Sequence, residues 1–300
     1  MAQNIGFIGL GSFGARIASR LTRQDIGVLV YDSWIEPVRY FMLKHTADMG
    51  ESPRMLAALC DIVACVLPDA QSVREIATGR LDPPEGLKDG RTCILLDLGA
   101  KSSAEARALA DELAPHGVIY VEAPARGSPE DARDGRLTIP VGGPAEAVDK
   151  VMPVLRAVSA KAAHVGEVGS AHVISALVEQ VRAASLMAFA EALGVGAGIG
   201  VSRTALRDWC MEEGLLGPAI ASLAEGSARV TGRSFESLVH NLGLLETLSR
   251  DNGLAPPLGG LVTDMWRQAQ GALGPQRDIE EVEKWIAGAI RIPSGPAGEA

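Results

Sequence analysis

The chain has 300 residues, 47% apolar and 22% charged, the balance of a globular protein of about two domains. A net charge of −9 speaks against nucleic acid as a partner, and no uncharged apolar run approaches the ~20 residues of a membrane span. The amino terminus runs into an apolar strand without a basic n-region, so no secretory leader is expected, and the four cysteines (Cys60, Cys65, Cys93, Cys210) lack metal-ligand spacing and fit buried thiols in a reducing, cytoplasmic setting.

Asn4-Ile5-Gly6-Phe7-Ile8 reads as a short strand entering Gly9-Leu10-Gly11-Ser12-Phe13-Gly14, the G-x-G-x-x-G spacing of a dinucleotide fingerprint. Gly9 permits the tight turn, Gly11 admits a pyrophosphate close to the backbone, and Gly14 lets the next helix pack on the strand. That helix starts near Ser12, carries Ile17, Ala18 and Leu21 at helical spacing, and aims its free N–H groups and positive dipole end at the phosphates. A second apolar strand, Gly27–Tyr31, ends at Asp32, about 20 residues past the glycines, where a ribose-binding carboxylate belongs. Asp32 suits ribose hydroxyls and repels a 2′-phosphate, and neither Ser33 nor Trp34 brings a guanidinium to hold one. The expected cofactor is therefore NAD in preference to NADP.

Further along, Ile62–Leu67 is a continuous apolar strand ending at Pro68-Asp69, and Cys93–Asp97 is another, followed by a helix over Ser103–Leu113 that starts at Ser103 with Glu105. Val118–Val121 and Leu137–Val141 are further strands. Continuous apolar strands between amphipathic helices predict an α/β domain over 1–165, a doubly wound, mostly parallel Rossmann sheet. Its strand ends line a cofactor crevice, with Leu67, Pro68 and Asp69 at the edge.

Near Gly169 the character changes. One long helix is expected over Ser170–Gly198, and helical stretches recur near Ser202–Glu213, Pro218–Ala228, Ser234–Asp251, Leu258–Gly271 and Ile279–Ala289, an all-α domain over 166–292 with a disordered tail at 293–300. On the long helix Val173, Ile174, Leu177, Val178, Val181 and Leu186 predict a largely buried surface. His172, Ser175, Glu179 and Arg182 form a polar stripe on one face, turned either to solvent or to a wet cleft. Trp209 and Met211 read as core residues or as walls of a substrate pocket.

The chain resembles the β-hydroxyacid dehydrogenases, the family of 3-hydroxyisobutyrate dehydrogenase. The resemblance rests on Gly6–Leu21; on Glu122-Ala123-Pro124 with Gly127; on Gly135-Arg136-Leu137-Thr138-Ile139 and Val141-Gly142-Gly143; and on Val165-Gly166-Glu167-Val168-Gly169-Ser170. It implies a Rossmann domain, a long interdomain helix, a helical domain forming dimers or tetramers, and hydride transfer with a nicotinamide cofactor. It also implies that a lysine and an asparagine of the catalytic helix fall at Ser175 and Glu179, that a Ser-Gly-Gly substrate loop becomes Arg126-Gly127-Ser128, that a Lys-Asp pair becomes His240-Asn241, and that a Ser-Thr becomes Gly99-Ala100.

A serine hydroxyl alone is too weak an acid to replace an ammonium as proton donor. His240 is the first candidate for that role, against a surface or packing histidine. Glu179 either orients a group or binds a cationic substrate, against a pairing with Arg182. His172 joins the site or caps the helix. Arg126 suits a carboxylate, sulfonate or phosphate, against a pairing with Glu130 or Asp131. The candidate set is therefore His240, Ser175 and Glu179 for chemistry; Arg126, Gly127, Ser128, His172, Asn241 and Trp209 for substrate; and Gly9, Leu10, Gly11, Ser12, Phe13, Gly14, Asp32, Ser33, Leu67, Pro68 and Asp69 for cofactor; no metal is expected. The leading expectation is an NAD(P)-dependent oxidoreductase acting on a small polar, anionic hydroxy or carbonyl compound. An imine reductase and a catalytically inert dinucleotide-binding protein are the alternatives.

Overall fold

The computed structural model describes residues 4–24, 26–79, 85–90, 93–226 and 231–289. The tail expected at 293–300 lies outside the described residues. Eight strands, β1 (Asn4–Ile8), β2 (Gly27–Tyr31), β3 (Asp48–Met49), β4 (Ile62–Cys65), β5 (Cys93–Asp97), β6 (Val118–Glu122), β7 (Leu137–Gly142) and β8 (Ser159–Gly166), form one sheet in the order β3-β2-β1-β4-β5-β6-β7-β8. Pairing is parallel throughout except between β6 and β7. Helices α1 (Gly14–Thr22), α2 (Ile35–Met42), α3 (Pro53–Leu59), α4 (Ala70–Thr78), α5 (Ser103–Leu113), α6 (Pro129–Asp134) and α7 (Ala145–Val158) connect the strands. Strand order reverses between β1 and β4, the switch point at which such sheets open a crevice beyond their carboxyl ends.

Alternation along the strands explains the two buried faces. Ile5, Phe7, Val28, Val30, Ile62, Ala64, Ile94 and Leu96 pack on one side, while Ile8, Leu29, Tyr31, Val63, Cys65, Cys93 and Leu95 pack on the other. Strands β3 and β8 escaped the sequence reading. The first is a two-residue edge strand and the second, SAKAAHVG, has no fully buried residue, so neither carries the apolar run that marks a central strand. The helix expected to begin with Ser103 is capped one residue earlier. Ser102 accepts the Glu105 N–H while the Glu105 carboxylate accepts the Ser102 N–H, a capping box.

Two compact units are present, 1–176 and 177–300, and the long helix α8 (Ser170–Gly198) belongs to both. The second unit contains α9 (Arg203–Glu212), α10 (Pro218–Ala221), α11 (Phe235–Asp251), α12 (Pro257–Leu273) and α13 (Val282–Ala289). Its core gathers Ala183, Leu186, Met187, Phe189, Ala190 and Leu193 of α8 around Phe235 and the fully buried Trp266, whose indole N–H donates to the Ala183 carbonyl at 3.2 Å. Among the described residues α8 is the one helix long and apolar enough to cross a membrane by length and composition.

The apolar surface of α8 is not used as its composition suggests. Ile174, Leu177, Val178 and Val181 are exposed, whereas His172 and Glu179 of the polar stripe are buried. The expected orientation is reversed there because alanines and the Leu186–Leu193 segment supply the packing face, while charged groups from other elements satisfy the stripe. Trp209, read above as core or pocket wall, is 69% exposed on α9, a helix with no buried residue.

Candidate active site

The glycine turn shows why each glycine stands where it does. Gly9 has φ of 93°, and a Cβ on it would collide with the Val66 carbonyl oxygen. A Cβ on Gly14 would collide with the Gly9 carbonyl. At Gly11 a Cβ would meet nothing within 4 Å, so the glycine leaves open space over the turn, the space a pyrophosphate needs. Around it lies a cavity of about 330 Å³ lined by Gly9, Gly11, Asp32, Trp34, Leu67 and Pro68. Ser33 lines it as well. Asp32 takes the Leu10 N–H on one carboxylate oxygen at 2.7 Å and the Trp34 N–H on the other at 3.0 Å, which holds the carboxylate over the turn with acceptor capacity remaining. Asp69 caps α4 through the Ser72 N–H at 2.7 Å, which lowers its carboxyl pKa. Ser12 and Phe13 form the turn ahead of α1, which starts at Gly14. Turn, cavity and acid fit a dinucleotide.

Next to the crevice, the carboxyl ends of β4, β5 and β6 hold a polar cluster that the sequence did not single out. Lys101 is buried, with its ammonium 3.0 and 2.8 Å from the two oxygens of Asp97. Tyr120 donates to the same carboxylate at 2.7 Å. Burial alone would lower the Lys101 pKa, but the charge and hydrogen bonds of Asp97 outweigh it and hold it above the ordinary value. Burial and then Asp97 push the Tyr120 phenol well up. Lys101 also explains Gly99, because a Cβ there would lie 2.8 Å from both its ammonium and the Leu67 carbonyl oxygen. The only available signal was a lysine four residues beyond a strand-ending aspartate.

Three members of the polar stripe on α8, His172, Ser175 and Glu179, each meet a charged side chain. Arg126 donates through Nη1 to the Ser175 carbonyl at 2.7 Å and to its hydroxyl at 3.0 Å. Its backbone is pinned to Thr138 by two hydrogen bonds, at 3.1 and 2.9 Å, which fixes the direction in which the guanidinium leaves the loop. Asp131, one of the two partners weighed above for Arg126, is held by Ser128 and Arg136. Gly127 takes φ of 151°, with Leu137 packed against it. Ser128 is the N-cap of α6, and its hydroxyl both accepts the Asp131 N–H and donates to the Asp131 carboxylate. His172 lies 3.6 Å from Glu122. Within the second unit Glu179 is ion-paired with Arg233, 54 residues along the chain, a partner that local spacing could not reveal. In that unit His240 is exposed on α11, with Asn241 half-buried beside it. The structure therefore brings together the glycine turn, Asp32, Leu67 and Pro68 as one crevice, and Arg126 with Ser175 as one contact.

The comparisons agree with this architecture. Residues 4–166 match the family described as the NAD binding domain of 6-phosphogluconate dehydrogenase. The chain is 28% identical over 204 residues to 2-(hydroxymethyl)glutarate dehydrogenase of Eubacterium barkeri, covering 68% of this chain and 67% of that one. It is 27% identical over 307 residues to L-threonate dehydrogenase of Cupriavidus necator, covering 98% and 99%. The fold superposes on Mycobacterium tuberculosis 3-hydroxyisobutyrate dehydrogenase, solved with L-serine, with a TM-score of 0.84 at 22% identity over 95% of this chain and 99% of that one. The chain belongs to the family of the NAD-binding domain of 6-phosphogluconate dehydrogenase, and its relatives there are hydroxyacid dehydrogenases.

Proposed function

We propose that the protein is an NAD-dependent oxidoreductase that moves hydride between the nicotinamide and a small anionic hydroxy or carbonyl compound. The observation that carries this reading is the Arg126 guanidinium at Ser175. It puts a fixed positive charge at the helix position where related dehydrogenases carry an ammonium, a charge of the kind that binds a carboxylate. Bound in the crevice, the cofactor supplies or accepts the hydride. Asp32 favours NAD by engaging ribose hydroxyls. Arg126 anchors the anion and stabilises developing oxyanion charge, and it cannot give up a proton near neutral pH. Proton transfer therefore falls to another group, and His240, exposed and on the helical unit, is the proposed acid–base residue. The imine alternative needed Glu179 as an uncompensated anion, and its pairing with Arg233 favours the anionic substrate instead. Exposed Leu254, Leu258 and Leu261 support a homodimer or homotetramer built through the helical unit, and burial of Cys60, Cys65 and Cys93 fits the proposed cytoplasmic setting.

The direct test saturates the protein with NADH and follows its absorbance against β-carbonyl acids, aldehydes, sulfonates and cyclic imines. Oxidation by a carbonyl acid supports the proposal. Turnover with imines alone, or tight NADH binding with no turnover across the panel, overturns it.

A further inference from the structure

The amino end of α8 is held from below by one carboxylate. Glu122, the last residue of β6, accepts the Ala171 N–H through Oε1 at 2.6 Å and is also approached by the N–H groups of Gly169 and His172. An anion here meets the orphan donors and the positive dipole end of the helix. The space for it is built in. Gly142 is the β7 partner of Glu122, and a Cβ there would collide with Oε1. The remaining oxygen, Oε2, is buried and has no hydrogen-bond partner; neither has Nε2 of His172, also buried. These two atoms are 3.6 Å apart, beyond a normal hydrogen bond. Nδ1 of His172 accepts the Lys101 N–H at 3.4 Å, which leaves the ring hydrogen on Nε2, directed at Glu122.

Four residues after Glu122 comes Arg126, and three after His172 comes Ser175. The β6 loop and the first turns of α8 are thus joined by two rungs in the same order: Glu122 to Ala171 and His172, then Arg126 to Ser175. We infer that Glu122 and His172 are a positioning pair that, by holding one ionisable proton between them, sets the register of α8 against the β6 loop and so the place of the Arg126 guanidinium. With Glu122 ionised, the carboxylate keeps its helix N–H groups and faces the His172 hydrogen across 3.6 Å, and the second rung stands as observed. When Glu122 takes up a proton, its pull on the helix end weakens and the Arg126 contact loosens. Burial raises the Glu122 pKa, against the pull of the helix N–H groups, and the Asp97 charge raises it further; burial lowers that of His172 to about 4. The charged groups facing the pair are Asp97 of β5, Lys101 just before α5 and Glu105 in its first turn, with neutral Tyr120 on β6; Lys101 is ion-paired with Asp97. This inference rests on the role given to Arg126 above, but its test needs no substrate.

The experiment is nuclear magnetic resonance on the full chain with labelled histidine and arginine, together with amide hydrogen exchange. In the wild type, His172 shows the Nε2–H tautomer, and the Arg126 side-chain signal shifts with pH at a midpoint above the ordinary glutamate value. In Glu122→Gln that pH dependence disappears, and exchange of the Ala171–Ser175 amides rises at least tenfold while β1 and β4 stay protected. His172→Gln raises the same exchange, and the double variant adds little to either single one. An Arg126 signal with no pH dependence in the wild type overturns the inference. So does unchanged exchange in Glu122→Gln, or a rise spread evenly over the sheet. Turnover assays leave this result untouched, so the two readings fail separately.

Discussion

Arg126 carries a charge that no working pH removes, and two of its hydrogen bonds go to the carbonyl and hydroxyl of Ser175. Replacing it with glutamine keeps polarity and removes charge. Arg126→Gln is expected to lower kcat/KM for an anionic substrate by ~10²-fold or more, with NADH affinity unchanged, because the cofactor cavity is lined by other residues. His240→Ala is expected to lower kcat by ~10²-fold if the histidine moves the proton, and an unchanged rate removes it from the mechanism. His172 is the clearest source of pH-dependent stability. Burial holds its folded-state pKa near 4, below the ordinary 6.5, so its contribution is complete above pH 6.5 and is lost as pH falls from there toward 4. The loss is on the order of 3 kcal/mol. Denaturant melts at stepped pH measure it, and His172→Gln is expected to flatten the slope in that window; an equal slope in the variant would assign the effect elsewhere.

At the scale of elements, turn chemistry was the most legible. Three glycines and one acid identified β1, its turn, α1 and the end of β2, because their spacing is set within the turn itself, by the positive φ at Gly9 and the close approach of Gly14 to the Gly9 carbonyl. Gly9→Ala is expected to weaken NADH binding at least tenfold and to cost ~1–3 kcal/mol, since it meets both a positive φ and the Val66 carbonyl; equilibrium binding and a thermal melt read the two effects. Asp32→Ala is expected to erode the preference for NAD over NADP, and unaltered selectivity would free Asp32 from the ribose. Helix α8 was legible in length but not in orientation. Its composition offers apolar residues on nearly every side, so periodicity could not say which face the second unit would take. The spacing of His172, Ser175, Glu179 and Arg182 gave them one face. That His172, Ser175 and Glu179 meet Glu122, Arg126 and Arg233 depends on residues from other elements, up to 54 positions away.

For the molecule as a whole, the second unit leaves Leu254, Leu258 and Leu261 exposed, the last two one turn apart on α12. If that surface is shared between copies, sedimentation finds a dimer or tetramer, and Leu258→Glu with Leu261→Glu shifts it to monomer without loss of NADH binding. A wild type that sediments as a monomer would overturn the assembly. The amino-acid sequence by itself determined the α/β class, the parallel sheet, the dinucleotide turn and the helical second half. These follow from periodicities of two and 3.6 and from glycines whose neighbours lie a few residues away. Only the tertiary structure decided what became of the departures from the family pattern. It placed the Lys101 ammonium against Asp97 above Gly99, aimed Arg126 at Ser175, closed Glu179 with Arg233, and buried Glu122 under the first turn of α8. Three of these join a charged side chain to a group 49 to 54 residues away, and the fourth, Lys101 with Asp97, needs the turn after β5 to close it. A charge that leaves water must find its counterpart wherever the fold brings one, and spacing along the chain holds no record of that distance.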